Sequence, residues 1–216
     1  MKAKLQMLKT VSLIIIFMSL YACEPPITFT EPQPINTANL PKLPRQLHGN
    51  YLSLTDSSSL IISNTLIQRI YDFDYKIHPN QLDSTSKLNG DTLTNVNTNE
   101  STIIQWKSDS LIIHINSIDT LFQLNYNHII RKYKGYYFLN TRYDNTSWTV
   151  EKMQLSKKHL TISGISKAQD IESLQEFTSN PPNANAKQEF TATKKQFKKF
   201  IKKGGFSDIE TFIRIE

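Results

Sequence analysis

Short apolar runs separated by turn-forming residues are the feature that most limits what this 216-residue chain can fold into. Between residues 50 and 163 the runs recur about every 8–12 positions, a spacing typical of sandwiches and barrels. They are rich in Ile, Leu, Tyr and Thr, and β-branched and aromatic residues favour strands. Short polar connections join antiparallel neighbours. The pattern predicts a mainly β protein, an antiparallel meander that is either barrel-like or a curved sheet.

The boundaries of the predicted strands follow from the turn residues between the apolar runs. A two-residue hairpin turn is predicted at Asn89-Gly90, because both residues tolerate positive φ. A second turn is predicted at Asn116-Ser117, where two polar residues interrupt an apolar run. The predicted strands are residues 50–55, 59–63, 66–77, 91–96, 102–107, 110–116, 119–126, 129–132, 136–143, 148–155 and 159–163.

After residue 163 the periodicity becomes helical. A capping-box pattern at residues 166–169 and apolar residues at spacing three predict a short amphipathic helix that ends near Thr178, followed by a loop at 180–187. A second capping box, Thr193 to Gln196, opens a helix over residues 194–203, and Gly204-Gly205 ends it. A last strand is predicted at 207–215. The fold class therefore includes one or two short C-terminal helices and a final strand.

The N-terminus has the layout of a secretory signal. Residues 1–9 contain three lysines and no acid, residues 11–21 are almost wholly apolar, and residues 20–23 read Leu-Tyr-Ala-Cys. A basic start, an apolar run and a small residue before the cleavage site define such a leader. The apolar run is shorter than the about 20 residues that cross a membrane. Residues 1–22 are therefore expected to be removed.

Residues 20–23 resemble the lipobox of bacterial lipoproteins. The resemblance implies that Cys23 is acylated and becomes the first residue of the mature chain, held in the cell envelope, in the outer membrane facing the periplasm. Cys23 is the only cysteine, so no internal disulfide forms. The alternative is an uncleaved N-terminal membrane anchor in which Cys23 has no role.

The mature chain divides into two parts by composition. Residues 23–45 hold six of the nine prolines and predict an extended, lipidated tether. Residues 46–216 are expected to form a single β-rich domain. Loss of the three leader lysines reduces the net charge from +6 to +3, and so small an excess does not favour nucleic acid as a partner. The domain is expected to be a monomer.

Two further resemblances bear on function. Residues 134–140, Lys-Gly-Tyr-Tyr-Phe-Leu-Asn, are similar to a segment of uncharacterised outer-membrane lipoproteins, a family that brings no activity with it. Residues 47–51, Leu-x-Gly-x-Tyr, together with the meander and the late helix, are similar to a lipocalin-like barrel. That second resemblance implies a small apolar ligand in the barrel mouth, with aromatic lining at Tyr71, Tyr75, Trp106, Tyr136 and Trp148.

The second predicted helix is the most basic stretch of the chain. Two interpretations are open: contact of its basic face with an anionic surface, or packing of Phe197, Phe200 and Ile201 on the sheet with a solvated lysine face. Packing is favoured, because the apolar face is small and no tryptophan flanks it. The lysines in question are Lys194, Lys195, Lys198, Lys199, Lys202 and Lys203.

Four Asp-Ser or Asp-Thr pairs precede mostly apolar residues. They resemble acceptor sites for periplasmic O-glycosylation in some Gram-negative bacteria. Turn chemistry explains the same pattern, since Asp closes a turn and Ser or Thr opens the next strand. The candidate acceptors are Ser84, Thr92, Ser110 and Thr120.

The sequence presents no catalytic or cofactor motif. The five histidines have no metal-ligand spacing, and no Gly-x-Ser-x-Gly elbow or phosphate loop occurs. Asp72 and Asp74 share one strand face but are expected to be solvated around a buried Phe73. The prediction is a lipid-anchored envelope protein, not an enzyme, with no cofactor and no metal, that binds or scaffolds a partner. The alternative is the lipocalin-like carrier of a small apolar ligand.

Overall fold

A computed structural model describes residues 27–178 and 188–215. The leader, Cys23 and the predicted loop at 180–187 lie outside the described residues. The described chain is mainly β, as predicted, and its two helices precede a C-terminal strand. The strands are β1 (Thr28–Phe29), β2 (Gly49–Ser53), β3 (Ser59–Ile62), β4 (Leu66–Ile77), β5 (Ser86–Asn89), β6 (Thr92–Asn95), β7 (Ser101–Lys107), β8 (Ser110–Gln123), β9 (His128–Tyr133), β10 (Tyr136–Arg142), β11 (Trp148–Ser156), β12 (His159–Gly164), β13 (Glu189–Phe190) and β14 (Asp208–Ile215); the helices are α1 (Ala168–Thr178) and α2 (Lys194–Lys202).

The strands form one curved sheet that does not close into a barrel. Its main path runs β13-β1-β11-β12-β14-β2-β3-β4-β8-β7-β6-β5, and β10 and β9 continue from the other side of β11. Three meanders, β2–β4, β5–β8 and β9–β12, supply most of the pairs, and β14 returns to join β12 to β2. β1 and β13 pair in parallel, and the other strand pairs are antiparallel.

The concave side of the curved sheet is filled by large side chains. Tyr51, Phe122 and Phe212, from three different strands, are at most 1% exposed and meet there. Alternation along each strand turns every second residue to this side. The buried members of this inner core are Leu43, Leu47, Tyr51, Leu60, Ile62, Ile67, Phe122, Ile130, Tyr137, Leu139, Met153, Leu160, Ile162 and Phe212.

The convex side of β10 and β11 carries a second core, which packs both helices onto the sheet. Phe197 of α2 is fully buried, and its ring centroid lies 5.2 Å from that of Phe138 on β10. Thr193 caps α2 reciprocally with Gln196, as its sequence predicts. The buried members of this outer core are Ile27, Phe29, Phe138, Val150, Leu174, Phe190, Ala192, Phe197, Phe200 and Phe206.

The prediction of a free tether over residues 23–45 is wrong for the described part of that segment. Phe29 is fully buried in the outer core, and β1 hydrogen-bonds into the sheet. Gln33 N–H donates to Asn140 Oδ1 at 2.6 Å, and Asn140 Nδ2 donates back to the Gln33 carbonyl at 2.9 Å. A few well-placed apolar and amide groups therefore dock a segment that its proline content would leave extended in solvent.

The same segment spans the opening of the curved sheet. Leu40 N–H donates to the Ile130 carbonyl of β9 at 2.8 Å, and Leu43 N–H donates to the Asn64 carbonyl in the β3–β4 turn at 2.7 Å. Leu43 and Leu47 then fill the inner core from that side. Residues 39–47 thus cover the gap that the strands leave open.

Two predicted turns are misplaced. β8 runs without a break through Asn116 and Ser117, because both residues pair with β4 and the polar side chains lie on an open surface. The β5–β6 loop is Gly90-Asp91 rather than Asn89-Gly90, since Asn89 pairs with Thr92 and Gly90 takes the positive φ of 58°.

The predicted capping box at residues 166–169 is also wrong. α1 begins at Ala168, and the Ser166 hydroxyl donates to Asp208 Oδ2 at 2.9 Å. The N-terminus of α1 is instead tied down through Asp170, whose buried carboxylate accepts two hydrogen bonds from Ser207. Asp208, the first residue of β14, thus binds the Ser166 hydroxyl that the sequence pattern would use as a helix cap.

Candidate functional site

The outer half of β4 leaves the body of the sheet together with β8. Residues Leu66–Ile70 of β4 lie between β3 and β8, but from Tyr71 onward β4 pairs with β8 alone. β7, β6 and β5 extend the sheet on the far side of β8. Residues 71–117 are called the arm, and none of them belongs to the inner or the outer core.

One face of the arm is apolar across three strands. Residues opposite one another in a ladder share a face. Phe73 therefore lies beside Ile115, Tyr75 lies beside Ile113, and Ile113 lies beside Ile104. In the next row, Ile77 and Trp106 lie on either side of Leu111. The apolar face consists of Phe73, Tyr75, Ile77, Ile104, Trp106, Leu111, Ile113 and Ile115.

Burial divides this apolar face into a covered and an open part. Ile104 and Leu111 are 2% and 0% exposed, so they form a small core within the arm. Tyr75 and Trp106 are 49% and 48% exposed, although both side chains are large and aromatic. Clustered exposed apolar side chains mark interaction sites more often than scattered ones do. The open part, around Tyr75 and Trp106, is the strongest candidate for a binding surface in the described chain.

A free strand edge borders the open part. Residues 71–77 of β4 have no neighbouring strand on the side away from β8 in the described residues. Such an edge presents backbone N–H and C=O groups that another extended chain can pair with. The free edge and the apolar face therefore meet along the same half-strand.

The opposite face of the arm carries most of its charged and polar side chains, together with Ile112 and the exposed Ile103. His114 pairs with Asp74 across β4 and β8, its Nδ1 lying 3.1 Å from Asp74 Oδ1, and its Nε2 lies 3.5 Å from Asp72 Oδ1. All three side chains are mostly exposed. Within the described ranges, no group of three or more His, Cys, Asp or Glu residues is arranged to hold a metal ion. The cluster is a solvated group of polar contacts, and such exposed contacts typically contribute little stability.

The lysine-rich helix α2 packs its apolar face against the outer core, as the favoured interpretation predicts. Phe197 and Phe200 are both fully buried, so the basic residues of α2 lie on its outer side. Lys194 Nζ donates to the Asn36 carbonyl at 3.0 Å, and Lys203 forms an ion pair with Glu176 at 3.1 Å. Lys199 Nζ lies 5.8 Å from the Phe177 ring centroid. Lys195, Lys198 and Lys202 have no hydrogen-bond or ion-pair partner in the described chain.

The candidate glycosylation acceptors lie in unlike surroundings. Ser84 and Thr120 are exposed, Thr92 is half-buried, and Ser110 is only 5% exposed. The Ser110 hydroxyl donates to Asp109, and this hydrogen bond lowers the pKa of the Asp109 carboxyl. Turn chemistry therefore accounts for Ser110, whose burial leaves no room for a glycan. Thr120 lies inside β8, so the turn explanation fails there.

The aromatic residues assigned to a lipocalin-like mouth do not come together. Tyr71, Tyr75 and Trp106 belong to the arm, and Tyr136 lies at the β9–β10 turn. Trp148 is 6% exposed, with the Arg142 guanidinium carbon 4.4 Å from its ring centroid. The prediction that these five side chains line one cavity is wrong, because the resemblance supplied no register for the strands.

Sequence reasoning missed the arm edge altogether. The alternation of Tyr71, Phe73 and Tyr75 with acidic residues is visible in the sequence and gives the correct bounds for β4. The alternation alone does not show that the short strand β3 leaves residues 71–77 of β4 without a second neighbouring strand. Strand-length mismatch within a meander is the signal that could have found the edge.

Comparison with protein-family models, curated proteins and solved structures finds no match for this chain. No described helix is both long and apolar enough to cross a membrane.

Proposed function

We propose that this chain is a lipid-anchored protein of the cell envelope that acts by binding, and that the arm takes up an extended segment of a partner protein. The observation that carries the proposal is the outer half of β4, where a free strand edge and an exposed aromatic face coincide. Strand addition is a recurring mode of peptide recognition: backbone hydrogen bonds supply affinity, and pockets for alternate side chains supply specificity.

The pattern of β4 defines the partner segment. Tyr71, Phe73 and Tyr75 alternate with Asp72, Asp74 and Lys76, so a strand added at this edge has alternating surroundings. Its apolar side chains would join the aromatic face, and its polar or basic side chains would lie beside the two aspartates. The partner is therefore expected to supply about seven extended residues with alternating apolar and polar side chains.

The anchor half of the proposal rests on residues 1–23. In a bacterial host that lipidates proteins, the parent chain should incorporate radiolabelled palmitate, and Cys23→Ala should abolish the label and leave the leader uncleaved. The reason is that Cys23 is the only cysteine that could carry a thioether-linked lipid. Equal labelling of the Cys23→Ala variant would show that Cys23 is not the lipidated residue and that residues 20–23 are not a lipobox.

The binding half is tested by a pair of double variants on the arm. Tyr75→Ser with Trp106→Ser removes the two most exposed aromatics of the apolar face, while Lys76→Ser with Gln105→Ser changes the polar face of the same strands. The first pair should release the chain from its envelope complex, seen as a smaller native mass after mild detergent extraction. The second pair should keep the parent mass. Retention of the complex by the first pair would contradict binding at the apolar face.

A further inference from the structure

A pocket of about 360 Å³ lies between α2 and the β9–β10 turn, beside the outer core. Among the described residues, no acidic side chain lines it. Three of its six lining residues are lysines, and two are tyrosines. The lining residues are Tyr133, Lys134, Tyr136, Lys198, Ile201 and Lys202.

Two local structures place these side chains. Tyr133 and Tyr136 pair across a two-residue turn in which Lys134 and Gly135 both have positive φ, 53° and 86°. This is the geometry of the tight hairpin turn that matches strand twist, and it carries Lys134 at its tip. On α2, Lys198 and Lys202 are four residues apart and share one face of the helix.

The three lysines of the pocket lack an anionic partner among the described residues. Lys134, Lys198 and Lys202 form no hydrogen bond or ion pair in residues 27–178 and 188–215. Two more ammonium groups lie close to the tyrosine rings, Lys194 at 5.2 Å from the Tyr133 centroid and Lys152 at 5.5 Å from the Tyr136 centroid. Like charges held together destabilise a surface unless an anion joins them.

The chemistry of the lining selects the anion. Lysine ammonium groups bind phosphate as point charges, and tyrosine offers a hydroxyl donor together with a flat apolar ring. The volume falls within the range of about 300–1,000 Å³ typical of ligand sites. A bare phosphate would leave the tyrosine rings without a contact, whereas a phosphate attached to a sugar ring would use both the lysines and the rings.

We infer that this pocket binds a phosphorylated sugar, either free or as the head group of a lipid. The inference is independent of strand addition at the arm, which lies in another part of the fold. It assigns Lys134, Lys198 and Lys202 to the phosphate and Tyr133 and Tyr136 to the sugar.

The test is a calorimetric titration of the full chain in nonionic detergent with glucose 6-phosphate, glucose and inorganic phosphate. Glucose 6-phosphate should bind saturably at one site, inorganic phosphate more weakly, and glucose not at all. A parallel titration with short-chain phosphatidylinositol 4-phosphate separates the two sources. Tighter binding of the lipid than of glucose 6-phosphate assigns the pocket to a head group, and the reverse assigns it to a free sugar phosphate.

Charge-matched variants separate the pocket from general attraction. Lys198→Gln with Lys202→Gln should weaken binding by about tenfold or more, since each lost charged contact costs about 1 kcal/mol and tenfold corresponds to about 1.4 kcal/mol. Lys195→Gln with Lys199→Gln removes the same charge outside the pocket and should change binding less than about twofold. Equal losses in both pairs, or no binding of any phosphate probe, would overturn the inference. Thermal melts of both pairs should match the parent.

Discussion

Removing residues 24–41 should leave a chain that no longer folds stably. The deleted segment contains Ile27 and Phe29, at 7% and 0% exposure in the outer core, and the strand β1 that pairs with both β11 and β13. It also removes Gln33, the partner of the buried Asn140 side chain. Truncating one buried Phe costs about 3–5 kcal/mol, and an unpaired buried amide costs about 1–3 kcal/mol more. Those costs together approach the total stability of about 5–15 kcal/mol that is usual for a protein.

The measurement is urea unfolding of a chain that begins at residue 24 against one that begins at Lys42. Phe29→Ala in the longer chain should lower the free energy of unfolding by about 3–5 kcal/mol. Glu31→Ala, at an exposed position of the same segment, is the matched control and should change it by less than about 0.5 kcal/mol. A stable, monomeric chain beginning at Lys42 would show that residues 27–41 add no packing.

Phe197→Ala should lower the free energy of unfolding by about 3–5 kcal/mol. The Phe197 ring lies at the centre of the outer core, with its centroid 5.2 Å from that of Phe138, 5.9 Å from Phe29 and 6.0 Å from Phe206. The cavity left by its removal would therefore open between α2, β1, β10 and the segment before β14.

Chemical unfolding of the parent and three variants tests this effect. Lys195→Ala removes an exposed side chain two residues away on the same helix and should leave the midpoint within error of the parent. Gly205→Ala should also destabilise, by about 1–3 kcal/mol, because the added methyl group would overlap the Phe200 ring. A Phe197→Ala chain that unfolds at the parent midpoint would mean that α2 is not packed on the sheet.

Where local pattern and tertiary packing agree, the sequence predicts this fold well. The bounds of β4 and the capping box of α2 follow directly from alternation and from Thr193 with Gln196. β8 shows the opposite case: Asn116 and Ser117 are good turn residues, yet both pair with β4 in an uninterrupted strand. Cross-strand pairing outweighs a local preference worth only about 1 kcal/mol.

The N-terminal segment shows why composition misleads. The segment is rich in proline, but the burial of three side chains fixes it against the domain. They are Ile27, Phe29 and Leu43. Gln33 and Asn140 are 107 residues apart in the chain, and nothing local signals that they meet. The pocket is hidden from the sequence for the same reason, since it depends on Lys134 meeting Lys198 and Lys202. The arm edge is different, because the unequal lengths of the predicted strands 59–63 and 66–77 do signal it.

The most direct test of partner binding at the arm is site-specific photo-crosslinking in cells that naturally make the protein. A photoreactive amino acid replaces Tyr75, on the free edge and the apolar face, or Gln105, on the polar face of β7. If the arm binds a partner, a discrete higher-mass adduct should form from position 75, be absent from position 105, and be lost when Trp106→Ser is added. Adducts of equal yield from both positions, or none from position 75 in a correctly anchored chain, would contradict partner binding at the arm.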